Sequence, residues 1–119
     1  MDTRSKIISN AEAVVIAKQG ATIVSGYFDP LLAAHAERLR GLKQAGNPLL
    51  ILIASPADAI LPARARAELV AALACVDHVT EIGAAFPDGL APHTQLETED
   101  AARLQELIAH VAMRQQAAG

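Results

Sequence analysis

The sequence contains no tryptophan, one cysteine and few aromatic residues, which make up 3% of the chain. The single cysteine, Cys75, excludes an internal disulfide framework and fits a reducing compartment. Ten scattered lysine and arginine residues against thirteen acidic ones lack the concentrated basic field of a general nucleic-acid-binding surface. No uncharged run approaches the ~20 residues of a membrane helix, and no N-terminal stretch has signal-peptide form. These absences predict a cytoplasmic protein that binds neither nucleic acid nor membrane.

Aliphatic residues dominate what the chain does contain. Hydrophobic residues make up 52% of its 119 residues, and alanine supplies many of them. This composition predicts one domain over residues 1–119, with closely approaching helices packed on aliphatic strands. His93 and His110 have no partner at metal-ligand spacing, so no metal site is predicted.

Helical periodicity alternates with short apolar runs along the chain. Strands are predicted at 21–25, 48–54 and 76–82, and helices at about 10–18, 30–44 and 62–74. The run "PLLILIA" at 48–54 is continuous, which predicts a strand buried on both faces. Residues 83–97 carry two prolines and two glycines and are predicted to form a long loop. Thr98 is predicted to cap a last helix over 98–115, with Glu99 and Asp100 as first-turn acids.

This order of elements, α-β-α-β-α-β-α, predicts an α/β fold of three Rossmann-like layers with a short parallel sheet. Ligands of such sheets bind beyond the carboxyl ends of the strands, where the direction of winding reverses. The stretch "GYFDPLLAAH", residues 26–35, directly follows the first predicted strand. Its position therefore suits a ligand site.

Two stretches carry a resemblance to a known family. Residues 26–35 match the signature G-x-F-D-x-x-H-x-G-H in register, and "LPARARAELVAALACVDHV" at 61–79 has the family's Pro, Arg, Ala-Leu pair and Val-Asp-x-Val. With the leading segment "KIISNAEAVVIAKQGATIVSGYFD", the chain resembles the cytidylyltransferase-like nucleotidyltransferases, in particular the adenylyltransferase domain of ADP-heptose synthases and the glycerol-3-phosphate cytidylyltransferases. The resemblance covers roughly residues 6–82. It implies a HUP-type sheet with strand order 3-2-1-4-5.

The resemblance also implies a site and its ligands. It implies CTP or ATP with Mg²⁺ as the nucleotide and a sugar or polyol phosphate as the acceptor. Nucleotide or phosphate contacts carry over to Gly26, Tyr27, Phe28, Asp29, His35 and Ser55, with His35 as the catalytic residue. Donors at a helix N-terminus and imidazole N–H groups stabilise the charge that develops on the α-phosphate, and Gly26 lets the backbone approach the nucleotide closely.

The departures from the family pattern predict impaired catalysis. Leu32 stands where the first histidine of the signature is expected, and Ala34 replaces its glycine. After Ile82 the family's fourth strand with its lysine, and its Ser-Thr-Arg segment, are not recognisable, and no lysine or arginine lies between Arg66 and Arg103. Losing one preorganised donor costs ~10²–10³ in rate.

Without a fourth and a fifth strand, the first strand would lie at an edge of the sheet. Its sequence, "ATIVSG", carries no lysine, proline or inward charge of the kind that protects exposed edges. We therefore expect a homodimer that pairs through this edge.

Three functions stay open at this point. The first is a degenerate nucleotidyltransferase-like domain that binds a nucleotide or phosphate ester. The others are an active cytidylyl- or adenylyltransferase, and a structural or regulatory interaction protein. Each of these residues also has a purely structural interpretation. His35 would face solvent or cap a neighbouring loop, Asp29 would be an N-cap, and Phe28 would lie in the core. Ser55 and Asp58 would belong to an ordinary turn, and Arg64 and Arg66 to a solvated helix face.

Overall fold

Four parallel strands form one sheet in the computed structural model, which describes residues 2–101 and 109. The strands are β1 (Thr22–Gly26), β2 (Leu49–Ile53), β3 (His78–Glu81) and β4 (Thr94–Gln95), in the order β3-β2-β1-β4. A 3₁₀ turn (Thr3–Lys6) precedes the helices α1 (Asn10–Lys18), α2 (Ala33–Leu42) and α3 (Ala63–Ala71), and residues 96–101 are also helical. The predicted α/β class with Rossmann-like layers is confirmed. Within the described residues, none of the helices has the length and apolar character needed to span a membrane.

The sheet is covered on both faces, as the continuous apolar run of β2 predicts. Leu49, Ile51 and Ile53 join one core cluster with Leu39 of α2 and Val70 of α3. Leu50 and Leu52 join a second cluster on the opposite face with Ala13 of α1. All five β2 residues have no exposed surface. Successive strand residues point to opposite faces, so the sheet forms the middle of three layers.

The strand β1 is an interior strand, which corrects the prediction of an exposed first-strand edge. β4 pairs with it through Val24↔Thr94 and Ser25↔Gln95. Before this pairing begins, the His93 N–H donates to the Ile23 carbonyl at 2.8 Å, and the Ile23 N–H donates to His93 Nδ1 at 3.0 Å. The predicted loop 83–97 therefore contains a strand, too short to show any periodicity. A homodimer through the edge of β1 loses its basis, because that edge is already paired.

Two helix starts also differ from their predictions. α2 begins at Ala33 rather than at Pro30, because the side chain of His35 folds back and binds the Leu32 N–H at the N-cap position. The last helix begins at residue 96 rather than at Thr98. Thr98 therefore lies inside the helix, where its Oγ1 donates to the side-chain oxygen of Gln95. Most of the predicted helix 98–115 lies outside the described residues.

Apolar periodicity predicts Leu69, Val70 and Leu73 on the inner face of α3; Val70 is buried and Leu73 packs on the core, but Leu69 does not belong to the buried face. That face consists of Arg66, Ala67, Val70 and Ala71, whereas Leu69 is 44% exposed. The small alanines on this face let α3 approach the sheet closely. Arg66 thereby becomes a core residue, with 1% of its surface exposed. The prediction of a solvated position for Arg66 is wrong.

Asp77 joins the start of β2 to the end of α2. Its carboxylate accepts hydrogen bonds from the Leu49 N–H at 2.7 Å and from Lys43 Nζ. Partial burial alone would raise the pKa of Asp77, but these hydrogen bonds and the charges of Lys43 and His78 outweigh it and lower the pKa. The carboxylate therefore stabilises the fold in its ionised form.

Candidate functional site

The switch point of the sheet lies between β1 and β4. From β1 the chain winds to β2 and β3 on one side, whereas β4 lies on the other side. The helix α2 follows β1, and the helical residues 96–101 follow β4. In α/β sheets the binding crevice opens at the carboxyl ends of the strands beside such a point. The predicted site residues 26–35 lie there, as their position after the first strand predicts.

Phe28 occupies the space that Gly26 leaves open. Its backbone has a φ of 51°, a left-handed conformation that is strained for a bulky residue. Its side chain is 1% exposed, which confirms the predicted core position. A Cβ atom added at Gly26 would lie 2.7 Å from Cε2 and Cζ of the Phe28 ring. The missing side chain of Gly26 therefore makes room for an internal aromatic ring, at the place where the resemblance implies a nucleotide.

The His35 imidazole is buried, and protein groups engage both of its nitrogens. Nδ1 accepts a hydrogen bond from the Leu32 N–H at 3.1 Å. Because Nδ1 accepts, the neutral ring carries its proton on Nε2, which donates to the Asp100 carboxylate at 2.9 and 3.1 Å. The ring also meets Phe28 edge to face, with 5.6 Å between the ring centroids. His35 caps its own helix, and the solvent-facing alternative is wrong, since only 7% of the residue is exposed.

A second buried donor at the switch point also faces a carboxylate. The Ser25 hydroxyl, on a residue with no exposed surface, donates to Glu97 Oε1 at 2.7 Å and lies 3.0 Å from Oε2. Glu99, on the same helical segment, accepts from Arg38 Nε at 3.1 Å on the exposed surface of α2. Three acidic side chains of residues 96–101 thus contact β1 and α2. Sequence reasoning assigned Glu99 and Asp100 only to the helix dipole and did not identify Ser25 or Glu97 as site residues.

Asp29 joins the loop after β1 to the loop after β2. Its carboxylate accepts hydrogen bonds from the Ile60 N–H at 2.6 Å and from the Leu61 N–H at 2.7 Å. The hydrogen bond from Ile60 has the largest effect on the pKa of Asp29, and together with Leu61 and the charge of Arg66 it lowers that pKa despite the opposing effect of burial. Asp29 is not the N-cap of α2, a position held by Leu32. The predicted capping role is therefore wrong.

Arg66, which the sequence favours as part of a solvated helix face over a phosphate clamp, is a functional candidate because its guanidinium is buried at the strand ends. Nε donates to the Leu61 carbonyl at 3.0 Å, and Nη1 donates to the carbonyls of Tyr27 at 3.0 Å and Ala54 at 2.6 Å. Nη2 has no acceptor within the described part of the chain. Every fully buried polar side-chain atom in the described residues has a hydrogen-bond partner. Because Nη2 has none, it is not fully buried and reaches solvent. The alternation of Arg66 and Val70 with small residues on one helix face is the only sequence signal for this position.

The remaining predicted residues lie around this corner. Tyr27 packs its side chain on the α1 face of the sheet. Ser55, half-buried after β2, makes no side-chain hydrogen bond within the described residues. Asp58 is exposed in the following turn. Arg64 is exposed and pairs with Glu68 at 3.3 Å, which confirms its predicted place on a solvated helix face.

Carboxylates outnumber cations at the switch point. Asp29, Glu97 and Asp100 are acidic, whereas Arg66 is the cation beside the ends of β1 and β2 in the described chain. Residues 2–101 and 109 contain no group of three or more His, Cys, Asp or Glu side chains that could hold a metal ion. The arrangement can offer a guanidinium N–H to an anion. It does not surround a triphosphate with positive charge.

No protein-family model matches the chain, and no curated protein matches it. The resemblance of residues 26–35 and 61–79 to nucleotidyltransferases stays a prediction. A functional proposal therefore depends on the residues of the site themselves.

Proposed function

We propose that the chain is a catalytically impaired nucleotidyltransferase-like domain that binds a nucleotide or phosphate ester beyond the carboxyl ends of β1 and β2. The observation that carries this proposal is the buried guanidinium of Arg66, whose Nη2 has no acceptor within the described residues. Three carbonyl partners fix the orientation of this group. A preorganised guanidinium at the strand ends suits a phosphate oxygen, because arginine combines a permanent charge with directed N–H donors.

Two further features support the same ligand class. The order β3-β2-β1-β4 agrees with the first four positions of the 3-2-1-4-5 order that the resemblance implies. Ser55, in the loop that the resemblance places at the nucleotide, has an unengaged hydroxyl at the end of β2. Ser55 directly follows Ala54, whose carbonyl accepts a hydrogen bond from Arg66.

Impaired catalysis follows from how the signature residues are used. The Leu32 side chain supplies no donor and is exposed, with 53% of the residue's surface accessible at the N-cap of α2. The Nε2 proton of His35 is already engaged by Asp100, and Phe28 covers Gly26. Charge that develops on an α-phosphate in the transition state needs several fixed donors. Arg66 alone does not replace them, so we expect binding without nucleotidyl transfer.

Calorimetry with CTP, ATP and a sugar phosphate, each with and without Mg²⁺, tests the binding. We expect dissociation constants of about 0.1–1 mM, equivalent to roughly −4 to −5.5 kcal/mol. An assay of pyrophosphate release with sugar and polyol phosphates should stay at background. The absence of binding for every nucleotide and phosphate ester would contradict the proposal. Pyrophosphate release would instead establish an active transferase.

A substitution of Leu32, which stands where the signature has its first histidine, provides a second test of nucleotide binding. Leu32→His places a second imidazole at the start of α2 and should tighten nucleotide binding about tenfold or more, the effect of one hydrogen bond to a charged group. Val15→His on α1 is the matched control, since Val15 is 54% exposed and Leu32 is 53% exposed. Equal effects of the two substitutions would show that the added histidine does not act at the proposed site.

An interaction protein is the second candidate, and exposed apolar side chains favour it. Leu32 is 53% and Ile60 is 80% exposed, and both belong to the loops at the carboxyl ends of the strands. The hydrogen bond from the Ile60 N–H to Asp29 joins these two loops. If no phosphate compound binds, this apolar rim becomes the better indication of function.

A further inference from the structure

We infer that the chain closes its own anion site with an acidic strap, consisting of Glu97 and Asp100 on the helical residues 96–101. The inference depends on the proposed function, because it assumes that the phosphate-bearing ligand bound beyond the carboxyl ends of β1 and β2 extends to the donors between β1 and β4. It goes beyond the proposed function, because it describes how the chain itself regulates the binding of that ligand. The internal carboxylates and the ligand compete for the same donors.

The first of these donors is the Ser25 hydroxyl. Ser25 lies in β1 with no exposed surface, and its Oγ is 2.7 Å from one Glu97 oxygen and 3.0 Å from the other. A hydroxyl that donates to a carboxylate forms a charge-assisted hydrogen bond. An external anion can accept from Ser25 only after the Glu97 side chain has moved away.

The second donor is Nε2 of His35. The Leu32 N–H occupies Nδ1 and thereby fixes the tautomer, so Nε2–H is directed at Asp100, 2.9 Å away. The His35 side chain is 8% exposed, and the Asp100 side chain, 34% exposed, lies on its solvent side. The contact made by Asp100 is the one that a phosphate oxygen would make.

The contacts of the strap with β1 and α2 give it a defined position beside both elements. It follows β4 directly, and Leu96, which is 2% exposed, anchors its first residue in the core. Glu99 is directed to a different place and pairs with Arg38 on the exposed side of α2. Two of the three acids therefore enter the site, and the third contacts the helix surface.

This arrangement lowers the apparent affinity for an anion. A ligand that binds only when the strap is released has its affinity reduced by the fraction of molecules in the released state. Neutralising the strap should raise that fraction. Any partner or condition that draws residues 96–101 away from α2 would do the same.

Substitutions that keep the shape of each side chain test the inference. Asp100→Asn and Glu97→Gln remove the charge but keep an oxygen that accepts from Nε2–H and from the Ser25 hydroxyl, so the fold is preserved. Glu99→Gln is the matched control, because it removes an equal charge from the same segment without touching either donor. The probe is inorganic pyrophosphate, with calorimetry as the measurement and the ¹⁵N signals of His35 as a local report.

We expect Asp100→Asn and Glu97→Gln each to tighten pyrophosphate binding about tenfold, within the range typical of coupled contacts. Glu99→Gln should change it less than twofold, and only the first two variants should show a ligand-dependent shift of His35 Nε2. Equal tightening in all three would overturn the strap in favour of a general charge effect. Unchanged affinity in variants of a protein that does bind nucleotide would overturn the strap and leave the proposed function standing. Failure of the natural protein and every variant to bind would overturn both.

Discussion

At the scale of single residues, the predicted site residues occupy one corner but contact other partners than expected. Gly26, Phe28, Asp29 and His35 lie together at and after the end of β1, where the sequence places them. Asp29 binds amides 31 and 32 positions away, and His35 binds an aspartate 65 positions away. A local motif specifies residue types at fixed spacing, but it does not contain these distant partners. The position of the corner was therefore predictable, whereas its hydrogen-bond partners were not.

Gly26→Ala tests whether the ring of Phe28 sets the requirement for glycine. The new Cβ would lie 2.7 Å from two ring atoms, so we expect a loss of about 1–3 kcal/mol in the free energy of unfolding, typical of overpacking. Urea denaturation gives this value. Gly41→Ala is the control, because Gly41 lies in α2 with nothing within 4 Å of an added Cβ.

The control should be neutral or stabilise the protein by up to about 1 kcal/mol, since alanine favours a helix over glycine. Phe28→Leu in the Gly26→Ala background should recover part of the loss, because it removes the ring that the methyl group meets. A stable Gly26→Ala variant would mean that Phe28 can move away at little cost.

At the scale of elements, one side chain ties three of them together. Arg66 on α3 binds the Tyr27 carbonyl after β1, the Ala54 carbonyl after β2 and the Leu61 carbonyl before its own helix. Apolar periodicity predicts Leu69, Val70 and Leu73 on the inner face, and of these three the structure exposes Leu69. A charged residue is normally assigned to solvent, and only the backbone carbonyls at the strand ends make this exception favourable. The pattern predicts the helix but not the burial of Arg66.

Arg66→Met tests this tie. It keeps much of the side-chain volume but leaves three carbonyls without their donor, so we expect a loss of about 3 kcal/mol or more in the free energy of unfolding. Arg64→Met, two residues earlier, removes only an exposed pair with Glu68 and should cost at most about 0.5 kcal/mol. Chemical denaturation of both variants provides the comparison. Similar losses for the two would contradict a special role of Arg66.

At the scale of the whole molecule, the sequence predicts the three layers of the fold but not the number of strands in the sheet. The run at 48–54 predicted β2 and its burial correctly, because five consecutive aliphatic residues need cover on both faces. β4 has two residues, Thr94 and Gln95, and its place beside β1 depends on pairing with a strand about 70 positions away. No pattern within residues 83–97 contains that information.

The stability of the whole molecule should fall in acid because of Asp29 and Asp77. Each has a pKa held below its ordinary value in the folded protein. Such a group stabilises the fold above its unfolded pKa, about 3.9, and loses that contribution as pH falls through the lower folded value. We therefore expect the free energy of unfolding to decrease from about pH 5 downward.

Asp77→Asn isolates one of the two groups. At pH 7 it should cost about 1 kcal/mol, because the bond from Lys43 loses its charge while the amide oxygen still accepts from Leu49. The difference from the natural protein should shrink as pH falls toward 3, measured as urea midpoints at pH 7, 5, 4 and 3. Asp58→Asn, at an exposed turn position, should match the natural protein throughout. A difference that stays constant with pH would contradict the assignment.

Both margins of the sheet restrict how a partner can recognise it. Ile7 runs parallel to Val79 along the outside of β3, and the Ile8 N–H donates to the Val79 carbonyl at 2.8 Å. On the opposite margin, within residues 2–101, the sheet ends at a strand only two residues long. A peptide that docks by extending a sheet needs a longer free row of backbone groups than this. Another protein that recognises this sheet must therefore contact its side chains rather than pair with its backbone.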